Sequence, residues 1–86
     1  MAVIFLVFAR NPAPEEFVTL VTEALQRISP NLTVSERTED TITFTSPVLQ
    51  TIEIYHDIVE SWFHSDPPII TTSRMTASPP LLLPRL

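Results

Sequence analysis

An unbroken run of apolar residues, Ala2 to Ala9 (AVIFLVFA), opens the hydrophobic pattern, and the turn-forming triplet Arg10-Asn11-Pro12 closes it. So short a run, rich in β-branched and aromatic residues and with no polar face, predicts a central strand buried on both sides. Pro12 and Pro14 then mark a helix entrance, with Glu15 and Glu16 in the first turn, where the helix dipole favours anions. Phe17, Leu20, Val21, Ala24, Leu25 and Ile28 follow at helical spacing and make one amphipathic face that ends before Ser29-Pro30. The period next shortens to two. Thr33–Arg37 and Thr41–Thr45 alternate, and the three-residue connection Thr38-Glu39-Asp40 predicts a hairpin whose Ile42 and Phe44 point toward the helices, with the threonines on the other side.

Two readings compete from Ser46 to His64. Thr51-Ile52-Glu53-Ile54 alternates like a strand, and Asp57-Ile58-Val59-Glu60 resembles a capping box that starts a short helix; this reading gives a β-α-β-β-β-α meander. A single helix over 48–64 accommodates more residues. Val48, Ile52, Tyr55, Val59 and Trp62 then form an apolar stripe opposite Glu53, His56, Asp57, Glu60, Ser61 and His64, Ser46-Pro47 supplies the N-cap and first-turn proline, and Ile54 fits worst. Asp66-Pro67-Pro68 stops the helix, and Ile69–Met75 has the composition of a final edge strand. The expected fold is therefore α+β, with order β-α-β-β-α-β: the ferredoxin-like split sandwich of an antiparallel sheet with two helices on one face. One domain spans residues 1–76. Residues 77–86 (ASPPLLLPRL) form an extended Pro/Leu tail.

Composition narrows what such a fold is for. An 86-residue chain supports one core, and 44% hydrophobic against 17% charged residues is the opposite of a disordered composition. Ten carboxylates face five cationic side chains, all arginine, for a net charge of −5. No basic patch can be drawn, so nucleic acid is a poor partner. The apolar run is too short to span a bilayer and has Arg10 after it rather than a positive charge before it, so neither a membrane span nor a secretion signal is expected, and the default location is cytoplasmic. The chain has no cysteine, which removes disulfides and thiolate chemistry, and no glycine, which removes phosphate-cradling loops, dinucleotide-binding turns, calcium loops and the nucleophile elbow. Turns must be made from proline, asparagine, aspartate and serine.

Little catalytic chemistry is left. Glu53, His56, Glu60 and His64 recur every three or four residues and are the weak metal-ligand candidates, but metal sites built on such pairs draw further ligands from neighbouring helices, and a solvated helix face explains the spacing better. No nucleophile has a base and orienting group within a recognisable motif, no cofactor is implied, and an enzyme is not expected. Phe5, Phe8 and Phe44 lack the basic, glycine-bearing context of an RNA-stacking sheet, and Trp62 and Phe63 are read as core.

What remains is an apolar surplus. A sheet covered on one face must turn either Val3, Phe5 and Val7 or Ile4, Leu6 and Phe8 to its open side, and exposed apolar patches mark interfaces. Val3, Phe5 and Val7, together with Pro80, Leu81, Leu82, Leu83 and Leu86 of the tail, are the candidate protein-binding residues. The leading expectation is a non-catalytic binding domain, an accessory subunit or inhibitor of a larger protein assembly. The alternative is a homodimer with sheets packed face to face, serving as a ligand-binding regulatory domain or a small cofactor-free enzyme.

Overall fold

A computed structural model describes residues 1–48 and 51–77. The elements are β1 (Ala2–Phe8), α1 (Glu15–Ile28), β2 (Thr33–Arg37), β3 (Thr41–Ser46), α2 (Glu53–Phe63) and β4 (Ile70–Ala77). The four strands form one sheet in the order β2-β3-β1-β4, with every neighbouring pair antiparallel. The apolar run is thus the inner strand, paired on both sides. β2 and β4 are the edges.

Alternation along β1 decides where the core sits. Ala2, Ile4, Leu6 and Phe8 are buried, and on the neighbouring strand Ile42, Phe44 and Ser46 share that face. Val21 and Leu25 of α1 and Tyr55, Val59 and Trp62 of α2 join Ile4, Leu6, Phe8, Ile42 and Phe44 in one cluster, so both helices cover the same side of the sheet. At about 1.5–3 kcal/mol for each large apolar side chain removed from water, this cluster is the main source of stability. The hairpin forms as its alternation predicts, with Ile42 and Phe44 toward the helices and Thr41, Thr43 and Thr45 on the far side.

The helices differ from their sequence patterns in detail. In α1 the buried line runs through Val21 and Leu25 with Phe17, Val18, Ala24 and Ile28 at its margins, while Leu20 is left 43% exposed on the outer flank. Residues 53–63 form one helix, and the chain returns from it to pair β4 with β1, which rules out the β-α-β-β-β-α meander. That helix nevertheless starts later than the Ser46-Pro47 cap implies. Ser46 is the last residue of β3, fully buried, and its Oγ accepts the Val48 N–H at 3.2 Å; the residue in the N-cap position is Ile52. Val48 accordingly lies 43% exposed outside the helix, and Ile54, the misfit of the stripe, is 47% exposed.

Turns are built without left-handed backbone: no described residue has positive φ. Ser29 ends α1 in an extended conformation, its N–H bonding back to Leu25 O at 3.0 Å, where a glycine would ordinarily take the left-handed cap. The hairpin connection relies on Thr38, whose Oγ1 accepts the Thr41 N–H at 3.1 Å and whose own N–H donates to Thr41 O at 3.1 Å. Backbone bonds from Phe8 to Asp40, Ala9 to Ile69 and Ala13 to Glu39 then tie the β1–α1, β2–β3 and α2–β4 connections together at one end of the sheet. Side-chain hydroxyls and backbone amides do the work that glycine turns do elsewhere.

Each edge strand contains one residue more than its partner. Between Val34, opposite Phe44, and Glu36, opposite Thr43, Ser35 is extra; between Ile70, opposite Phe8, and Thr72, opposite Val7, Thr71 is extra. Beyond such a bulge the side chains exchange faces relative to strict alternation.

Candidate protein-binding face

On the side of the sheet away from both helices, Val3, Phe5 and Val7 stand half-buried in a line down β1. Across from them on β3 are Thr45, Thr43 and Thr41, and on β4 Thr76, Arg74 and Thr72. β2 contributes Thr33 beside Thr45 and Glu36 beside Thr43. The middle row of the face therefore reads Glu36, Thr43, Phe5, Arg74 from edge to edge. Thr33 Oγ1 and Ser35 Oγ donate to the β3 carbonyls of Thr45 and Thr43, at 3.4 and 3.3 Å. Those two hydroxyls of β2 are satisfied on the sheet.

This is the option for β1 that follows from the helices' choice of Ile4, Leu6 and Phe8. The candidate residues Val3, Phe5 and Val7 share one face and one strand; Pro80, Leu81, Leu82, Leu83 and Leu86 lie outside the described residues. Charge is balanced here although the chain is acidic. Nine of its ten carboxylates, all except Glu36, fall on the helices or in connections. Neither Glu36 nor Arg74 has an ion-pair partner among the described residues.

The histidines and their acidic neighbours stand elsewhere, on the outer side of α2. His64 Nε2 lies 3.1 Å from Glu60 Oε1, one turn apart, and His56 Nδ1 lies 3.8 Å from Asp57 Oδ1, with all four side chains at least half exposed. Glu53 is exposed in the first turn of the helix. Among the described residues no three such groups converge on a point that could hold a metal ion. The arrangement is that of pairwise contacts on a solvated helix. No helix of the described residues is long and apolar enough to cross a membrane.

Glu36 and Arg74 were not among the residues singled out from the sequence. Strict alternation from Val34 and from Ile70 puts both on the helix side, and only the extra Ser35 and Thr71 bring them to the Phe5 row. No family model matches the chain, nor does any curated protein or solved structure.

Proposed function

We propose that this chain is a non-catalytic protein-binding domain of the ferredoxin-like class, acting through the sheet face that carries Val3, Phe5 and Val7 as a small subunit or inhibitor within a larger protein assembly. The element order and the strand order β2-β3-β1-β4 support the architecture, since a split βαβ unit leaves one strand between each pair joined through a helix. The observation that carries the function is the apolar line on β1 opposite the helices. An inner strand that is apolar on both sides suits a sheet covered on both faces, and the helices cover only one. The titratable side chains favour the same reading, because the two histidines face solvent on α2 rather than converging with the apolar face.

The test is native isolation of the wild-type chain and of the Phe5→Lys variant, with thermal melting as a check on folding. The wild type is expected to run as a stoichiometric complex, with another protein or with a second copy of itself on this face, and the variant to melt at a similar temperature and migrate as a monomer. A wild-type chain that migrates as a monomer, or a variant that keeps the same complex, overturns the reading.

A further inference from the structure

We infer that the occupant of the open face is a second copy of this chain, seated by a two-fold axis that runs parallel to the strands; this rests on the reading of that face as a protein-binding surface. The charges choose the geometry. Glu36 and Arg74 end the same cross-strand row, on opposite edge strands, separated by three inter-strand spacings or ~14 Å. Turning a copy about an axis parallel to the strands, through the middle of the sheet, reverses the row and keeps its level. Glu36 of each copy then meets Arg74 of the other, and Phe5 of each lies over Thr43 of the other.

The neighbouring rows agree. Val3 is placed over Thr45 of the second copy and Val7 over Thr41, so each apolar side chain on the open face of β1 meets a threonine of β3. A two-fold contact must be self-complementary in this way, residue i meeting j and j meeting i. An axis perpendicular to the strands fails the same requirement, because it sets Glu36 against Glu36 and Arg74 against Arg74. The acidic surplus does not oppose the contact, since the carboxylates other than Glu36 sit on the helices and connections. Aligned face packing at a separation of ~10 Å gives these side chains room to interdigitate.

The experiment is sedimentation equilibrium of the full chain, wild type against Glu36→Arg, Arg74→Glu and the double exchange, with circular dichroism to establish that each is folded. Each single reversal replaces two attractive pairs by two like-charge contacts and is expected to weaken dimerisation on the order of 10- to 100-fold. An equimolar mixture of the two single variants is expected to form a heterodimer of wild-type strength, because one chain then supplies both arginines and the other both glutamates. The double exchange is expected to restore the homodimer. A wild-type chain that is monomeric at millimolar concentration overturns the inference and leaves the face to another protein or to residues 78–86 of the chain itself. Dimerisation indifferent to both reversals, or a mixture no tighter than its components, overturns it too. Failure of the wider reading is distinguishable, since there Phe5→Lys leaves every complex of the chain intact.

Discussion

Tyr55 places a phenol in the middle of the core: the residue is fully buried, and among the described residues its hydroxyl oxygen has no hydrogen-bond partner. Replacing it with phenylalanine keeps the ring and removes the unpaired group. A buried hydroxyl without a partner costs ~1–3 kcal/mol of desolvation, which the substitution returns. Against this stands the loss of one oxygen's volume, worth a few tenths of a kcal/mol at ~24 cal/mol per Å³ of cavity. Tyr55→Phe is therefore expected to stabilise the fold by about 1–2 kcal/mol, the reverse of the usual result for a buried tyrosine. In a domain of this size that raises the melting midpoint by at least about 4 °C. Urea unfolding followed by far-ultraviolet circular dichroism and by the fluorescence of the buried Trp62 is the assay, with a higher midpoint and an unchanged slope as the expected result. A lower midpoint refutes the reasoning, because it means that the hydroxyl does bond in the folded chain.

The two sides of β1 should respond differently to substitution. Leu6→Ala opens a cavity under both helices and is expected to cost ~2–5 kcal/mol, much of the stability of so small a domain, whereas Phe5→Thr, which extends the threonine face, should cost well under half as much in the monomer; chemical denaturation of both variants checks the ratio. His56→Gln and His64→Gln, singly or together, should leave the melting midpoint unchanged with or without added zinc, since the pairs they make with Asp57 and Glu60 are exposed; a zinc-dependent rise in the wild type that the double variant loses would point to a metal site on α2.

The strands and the first helix are legible because their signals are local. The unbroken apolar run of β1, the period-two threonines of β3 and the helical spacing from Phe17 to Ile28 each exceed any competing pattern. The start of α2 was not legible in the same way. Ser46-Pro47 is a good helix entrance by residue type, but Ser46 is already committed to the sheet opposite Ala2, and the tertiary pairing outweighs the capping preference. Leu20 illustrates a second limit: helical spacing places it on the apolar face, yet which residues of a broad stripe touch the sheet depends on the angle at which α1 lies, and Val18 is taken in its place. The candidate face was half legible. Composition exposes the apolar surplus of β1, and only the position of the helices decides that Val3, Phe5 and Val7 are the open set. Its two charges were hidden by the bulges, because a one-residue register shift leaves no mark on the amino-acid types around it.

Those bulges also bear on how the sheet can grow. An open sheet invites a further strand wherever a regular row of unpaired amides and carbonyls lies along its edge. Here Ser35 breaks the regularity of one edge and Thr71 that of the other, while the ladder between β1 and β3 runs without a shift. A strand approaching β2 meets a kinked margin in the middle of that edge, which disfavours joining copies edge to edge there, whereas β4 keeps an unshifted row from Thr72 to Ala77. The two inserted residues thus act unequally on the edges, and both turn a charge, Glu36 or Arg74, to the face away from the helices.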